Sequence, residues 1–410
     1  MKNRIWSLTA TLMLALTAIA AEVKTNRSWY LAGEAMSVSI TTGMATPHSA
    51  SSAHGSIAYA ELSDTRGVSA GVVVSLQRGM GSGIIELPPT LHSGYYALSV
   101  YTRHQAQVTH QLVAVINPLR KSADDDIEWI AADSCWVTGV GATDVVSRKA
   151  VDMEETEGHI VKAHVSNIFD GQTFTATQIR PVMSIIGKQI HYFEGTMLDD
   201  TTAVFNTYGV HGKLPLVLSA RTSTGVALPI EMSTPFATLI PKQLPHLVFH
   251  YQRQEVEDRS LDMQRHQLTV PSALPLAYDN TLFGAGPDMS YNLDEYRQFP
   301  TVREALIEYV TDIVIRDING TTQLLILREQ GHYNSLLTPL VLIDGMPVSD
   351  TERLLRYDAR RIHYINIYGG QYTFGHTVYD GIVSFVTRSG QLTNYPTERN
   401  MQYLVYDFPQ

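Results

Sequence analysis

The chain has 410 residues, a formal net charge of −10, 17% charged residues and one cysteine. The acidic balance argues against nucleic acid, and against anionic lipid held by charge alone. The lone Cys135 excludes an internal disulfide framework.

Lys2 and Arg4 precede an apolar run from Leu8 to Ala21, interrupted only by Thr. Ala18-Ile19-Ala20 has the small-residue spacing of a cleavage site. The run is shorter than the roughly 20 residues of a spanning helix. A secretory signal peptide is therefore expected at 1–21, cut after Ala20 or Ala21, with a buried N-terminal helix as the alternative. No cysteine sits there for lipid attachment. Losing Lys2 and Arg4 takes the charge from −10 to −12. Export without a disulfide framework suits a Gram-negative periplasm. No later segment is apolar enough for a transmembrane helix, and the remaining length implies about two to four domains.

The expected fold is mainly β with a small α/β domain: two tandem immunoglobulin-like or macroglobulin-like β-sandwiches, then a plug-like α/β domain. The first sandwich is placed at 22–118. Ser37–Ile40, Ile57–Leu62, Val72–Val74, Ile84–Leu87 and Tyr95–Tyr101 read as short strands between Gly, Pro and Ser clusters. Tyr30-Leu31-Ala32-Gly33-Glu34 resembles the "Y-x-x-G-E" entry of macroglobulin-type sandwiches. Leu91 to Leu98 resembles their closing strands, and that resemblance implies a tight turn at Gly94 with a strand starting at Tyr95. Residues 119–136 read as a linker whose Asp124, Asp125 and Asp126 are solvated rather than calcium-binding, since no EF-hand spacing surrounds them.

A second sandwich is placed at 137–245, with strands at Lys162–Val165, Ala203–Asn206 and Pro215–Ala220. Its exit, Leu228 to Phe236, resembles that of multidomain envelope proteins of Bacteroidetes type. Residues 246–277 read as a polar linker with room for a strand.

The third domain, 278–396, carries the sharper pattern. Thr301 and Glu304 have capping-box spacing before an apolar helix face of Ala305, Leu306 and Val310. Ile313–Arg316 and Gln323–Leu327 flank Asn319-Gly320, a hairpin signal. Pro339–Ile343 turns at Asp344-Gly345 into Met346-Pro347-Val348; a short helix at Asp350–Leu355 and strands at Ile362–Tyr368 and Gly381–Arg388 follow. Asp344-Gly345 suits a tight turn with positive φ. This order resembles the plug domain of TonB-dependent outer-membrane receptors, with matches at Pro339–Val348, Ile362–Ile367, Tyr372–Gly375 and Gly381–Gly390. On that resemblance Asp344, Gly345, Pro347, Gly381, Thr387 and Gly390 are structural motif residues, as Gly33, Glu34, Gly94 and Tyr95 are in the first sandwich. Only about 20 residues follow Gly390, and 397–410 read as a tail. A plugged barrel needs about 22 strands of roughly 9–11 residues each, so transport is not expected from this chain.

Chemistry is not apparent. Cys135 lies in Asp-Ser-Cys-Trp-Val, not in a thioester motif, and reads as a buried structural thiol. Gly79 to Gly83 lacks the lysine of a phosphate loop and reads as a strand connection. His246 and His250 flank Leu-Val-Phe, which favours a strand over a metal-binding helix. Asp288, Asp294 and Glu295 offer an acid pair only if space brings two of them together. The expectation is a non-catalytic periplasmic or outer-membrane-associated scaffold that binds a protein partner, with no cofactor, no metal and no nucleic acid. A separate plug or accessory subunit of an outer-membrane barrel is the first alternative. An envelope hydrolase with an unrecognised site is the second.

Overall fold

In the computed structural model, strand-forming runs with alternating burial dominate the described residues, with three helices and a few single turns among them. The structure describes residues 22–42, 56–103, 108–145, 155, 158–187, 189–269, 285–318, 320–328, 332–334, 336–390, 392 and 400–409. The expected signal peptide at 1–21, the start of the third domain at Tyr278 and Asn319 of the hairpin turn lie outside them. The chain divides into two units, one of residues 1–154 and 238–253, the other of 155–237 and 254–410.

The first unit holds a β-sandwich. One sheet has the order Glu22–Thr25, Ala35–Thr41, Met80–Glu86. The other runs Trp29–Leu31, Thr109–Ile116, Gly94–Tyr101, Ser56–Asp64, Gly67–Leu76. Alternation places Met36, Val38 and Ile40 inward from one strand, against Tyr30, Leu62, Val74 and Leu98. Period-two patterning with one buried face is the signature of such a sheet. The glycine-rich run is only in part the expected strand connection: Gly79 lies in the turn, and Met80–Gly83 belong to the strand Met80–Glu86. Arg78 and Gly79 take positive φ in the turn, and Gly81 and Gly83 face Val72 and Val74 of the neighbouring strand so closely that a Cβ would collide. Glycine here permits the close approach of two backbones.

The first expected linker contributes strands, and the second carries the strand it had room for. Ile127–Ala131 and Trp136–Val140 flank His246–Tyr251 in a three-stranded sheet, parallel on one side and antiparallel on the other. The three aspartates are not merely solvated. Asp124 pairs with Arg66 at 2.5 Å, Asp125 accepts from the Ser93 and Ser122 amides at 2.8 Å each, and Asp126 bonds His246. Composition marks polarity, and these carboxylates use it to tie loops together.

Glu61 anchors the returning segment. Its buried carboxylate accepts from the backbone amides of Thr238 at 3.2 Å and Leu239 at 2.5 Å and from the Tyr101 hydroxyl at 3.1 Å. Thr238 takes a φ of 59°, a conformation held by those bonds. Glu61→Ala strips a charged acceptor from the buried Leu239 amide and the partly buried Thr238 amide. It is expected to destabilise the unit by about 3 kcal/mol, read as a lower urea midpoint, and to open a protease site near 238. A midpoint within error of wild type would show that water replaces the carboxylate.

The second unit contains a second sandwich and an α/β module. The sandwich pairs the sheet Thr196–Met197, Thr202–Thr207, His159–Val165, Ile230–Met232 with the sheet His191–Glu194, Ile179–Ile185, Gly212–Thr222, Ala227–Leu228. The expected tail supplies a further strand. Gln402–Phe408 pairs antiparallel with Gly212–Leu218 and buries Tyr406 and Phe408 in the sandwich core. The module's sheet has the order Met289–Asn292, Ile362–Tyr368, Ile382–Thr387, Leu340–Ile343, Met346–Pro347, with Leu340–Ile343 parallel to Ile382–Thr387. The helix Val302–Tyr309 carries the expected Thr301–Glu304 capping box and buries Val302, Ala305 and Leu306. The hairpin Ile313–Ile318 with Thr321–Ile326 and the helix Thr351–Leu355 complete it. Ile186 and Val217 of the sandwich belong to the module's core cluster, so the two parts share one apolar interior. Arg253–Thr269, expected as linker, is a helix. It lacks Gly and Pro, and Gln254 and Asp258 bond across one turn at 2.8 Å.

Candidate functional site: the Asp344 turn and the adjoining cleft

The sequence-derived motif residues fall into two groups. In the first sandwich, Tyr30 is buried and its hydroxyl donates to Asn26 at 2.5 Å. Gly33 has a φ of 96°, and the Glu34 carboxylate accepts from the Leu31 amide at 2.8 Å. The motif is thus a strand end, a left-handed turn and a side chain that caps it. Gly94 departs from expectation. It is the first residue of a strand rather than a positive-φ turn, and a Cβ on it would meet only ordinary contacts at 3.8 Å. The strand therefore begins one residue before Tyr95. The Tyr95 ring lies 3.1 Å from where a Cβ on Gly139 would be.

In the α/β module most of the predicted residues converge. Asp344 and Gly345, with φ of 47° and 91°, turn Leu340–Ile343 into Met346–Pro347, where Pro347 sits opposite Leu342. Asp344 is 1% exposed. Its carboxylate accepts from the Thr387 amide at 2.7 Å, the Thr387 hydroxyl and the Leu392 amide at 2.9 Å. Gly390, φ 64°, donates its amide to the Thr387 hydroxyl at 3.1 Å. Gly381, φ 94°, gives its carbonyl to the Leu340 amide at 2.9 Å. Gly345 packs against Ile190, where a Cβ would come within 2.9 Å.

Burial pushes the Asp344 pKa above the usual carboxylate value, and the bonds from Thr387 and Leu392 pull it partly back. The raised value has a definite sign in linkage. Its stabilising contribution is complete below the unfolded carboxylate pKa and is lost as pH rises through the folded value. From about pH 4 upward, the gap in unfolding free energy between wild type and Asp344→Asn is expected to narrow, with wild type losing ground. Parallel curves would show that the bonds offset burial completely.

Beside this turn lies a cleft of about 330 Å³. Arg180, Tyr192 and Arg221 form its sandwich wall, and Thr322, Leu340 and Ser349 line the module side. The buried Tyr192 phenol, its pKa raised by burial, hydrogen-bonds Tyr379 at 3.1 Å. Elsewhere in the unit, His159 bonds Glu155 at 3.1 Å and the Tyr406 hydroxyl at 2.7 Å, all three buried. Neither the cleft arginines nor this chain carried a motif in sequence, since each residue comes from a different strand or loop.

The other candidates resolve singly. Asp288 accepts from the Gly369 amide, Asp294 pairs with Arg388 and His363, and Glu295 accepts from Asn292, so space does not bring them together as an acid pair. Cys135 is half-buried rather than buried, with its sulfur accepting from the Gln252 amide at 3.3 Å. His246 and His250 are on a strand, and His250 stacks on Trp136 at 3.5 Å between ring centroids. Among the described residues no cluster of three or more His, Cys, Asp or Glu could hold a metal, and no helix is long and apolar enough to cross a membrane.

No family model and no curated protein matches the chain. Parts of solved structures do. Native Escherichia coli alpha-2-macroglobulin is similar over 54% of this chain and 14% of its own, at 12% identity and a TM-score of 0.20. The Escherichia coli adhesin FdeC is similar over 55% of this chain and 64% of its own, at 14% identity and a TM-score of 0.20. A putative membrane-anchored protein of Corynebacterium diphtheriae is similar over 57% of this chain and 59% of its own, at 10% identity and a TM-score of 0.20. The chain thus spans a small fraction of the macroglobulin it matches, and its mainly β architecture rests on its own sheets.

Proposed function

We propose that the chain is an exported, non-catalytic interaction protein of a Gram-negative envelope, in which macroglobulin-like sandwiches carry a plug-like docking module. The observation that carries this reading is the Gln402–Phe408 strand, which is apolar on both faces. Leu404, Tyr406 and Phe408 pack into the sandwich core, while Tyr403 and Val405 on the other face are 54% and 61% exposed. Among the described residues the strand has one strand partner, Gly212–Thr222. An edge strand with outward apolar side chains is a template for a partner's strand or apolar surface. The motif residues around Asp344 support the same reading, because their polar groups hold the turn rather than face a substrate.

The test is cross-linking in the native envelope from a photoreactive residue at position 403 or 405 of the mature protein. A specific protein adduct, abolished by Val405→Asp, is the expected result. An outer-membrane barrel as the adduct would favour the accessory-plug role. No adduct from either position, or a purified hydrolytic activity lost with a single substitution, would overturn the reading.

A further inference from the structure

We propose that the open edge of Gln402–Phe408 pairs antiparallel with the same edge of a second copy of this chain, about a two-fold axis at Val405. The inference rests on the reading of that strand as a docking edge, and it names the partner. Pro215, which stands opposite Val405 in the sheet, has no N–H, and its carbonyl accepts from the Ile186 amide at 3.1 Å on the other side of Gly212–Thr222. Val405 is thus in a non-hydrogen-bonded pair, and its own N–H and C=O point away from the sheet. Those of Tyr403, two residues back, point the same way. Among the described residues no backbone bond meets either one on that side.

Sequence and symmetry both favour a second copy as the occupant. Soluble sheets guard their edges with lysine, proline or a bulge. Gln402–Phe408 has no lysine, no proline and an unbroken register, and Asp407 is its only charge. Its 7 residues are rich in aromatic and branched side chains. Short segments of high β-propensity and low charge are the kind that pair with their own copies. Antiparallel self-pairing places Val405 against Val405, where the two residues exchange both backbone hydrogen bonds. Tyr403 then stands across from Asp407, so no like charges meet. The exposed Tyr403 and Val405 side chains of both copies share one face and cover each other's apolar surface. The contact uses the same strand on both sides, so it closes at two copies and does not propagate.

Sedimentation velocity of the full mature protein over a range of concentrations is expected to show a monomer–dimer equilibrium. Val405→Lys and Val405→Asp set like charges across the axis, and each should weaken the dimer at least about tenfold. An equimolar mixture of the two variants should recover it, because each lysine then faces an aspartate. In a Cys135→Ser background, Val405→Cys should form a disulfide-linked dimer, since the paired Cα atoms lie about 5.5 Å apart. Tyr403→Cys should not, its two copies being about 14 Å apart. A wild type that stays monomeric, a Val405→Lys variant as dimeric as wild type, a mixture that stays monomeric, or equal cross-linking at 403 and 405 would overturn the proposal. A monomer that still gives a foreign protein adduct from position 405 in the envelope would sink self-pairing and leave the docking edge standing. Neither dimer nor adduct would sink both.

Discussion

Replacing Asp344 by alanine is expected to lower the unfolding free energy of the second unit by about 3 kcal/mol. Three donors converge on this carboxylate, two of them backbone amides that no rotamer change can redirect. Alanine would leave the Thr387 and Leu392 amides buried without an acceptor. Each such group costs about 1–3 kcal/mol. It would also put a β-carbon residue without turn-favouring chemistry at a φ of 47°. Asparagine keeps the turn propensity and one oxygen, but presents an amide donor to one amide donor. Its expected cost is about 1–2 kcal/mol. Urea midpoints measure both, and a cycle with Thr387→Val isolates the pair. A loss below about 0.5 kcal/mol for Asp344→Ala, the range of ordinary surface changes, would mean that the turn does not depend on its side chain.

The second large effect separates two glycines that look alike in sequence. Gly381→Ala should cost about 3 kcal/mol or more, because strain and collision add. Its φ is 94°, and a Cβ would lie 2.6 Å from the Tyr368 carbonyl oxygen and 2.5 Å from Ile326 Cδ1. The isoleucine can move, but the carbonyl belongs to the pairing of Ile362–Tyr368 with Ile382–Thr387 and cannot move without breaking register. Gly94→Ala should change stability by no more than about 0.5 kcal/mol, since nothing stands closer than 3.8 Å. Thermal unfolding of both variants decides the matter. Equal losses would show that the second position needs glycine for a reason other than space.

Much of the module was legible because its determinants are local. A capping box spans four residues, and the structure forms it as spaced at Thr301 and Glu304. Asp-Gly at a strand end dictates a turn, and the turn is there. The link from Asp344 to Thr387 was partly legible, since both residues were picked out, though each as a fold marker and neither as the other's partner. Gly94 was misplaced because Ser-Gly before an aromatic strand suits either a turn or a strand start. The distances involved explain what the sequence concealed. Glu61 lies in the strand Ser56–Asp64 with no motif around it, and its backbone partners are 177 and 178 positions away. Polar residues at 119–136 and 246–277 looked like linkers because each supplies only part of a sheet. The arginine pair depends on register between two strands, and Pro181 in the first of them disguises it as a loop.

The interleaved order of the two units has a consequence for how the chain folds. The central strand of the three-stranded sheet, His246–Tyr251, comes late. Asp126 and His246, which bond across that sheet, are 120 positions apart. His159 must wait longer still for Tyr406, 247 positions on. A chain emerging N-terminus first has every strand of the first sandwich by Ile116, but cannot complete the second until Gln402–Phe408 emerges. Closing such long loops is slow relative to local pairing. Incomplete sandwiches meanwhile expose open edges of the kind that holding chaperones cover. Cutting the chain at 245 would part His246–Tyr251 from the two strands that flank it, and cutting at 245 or 277 would part Gln402–Phe408 from Gly212–Thr222, whereas a cut at 118 divides no sheet.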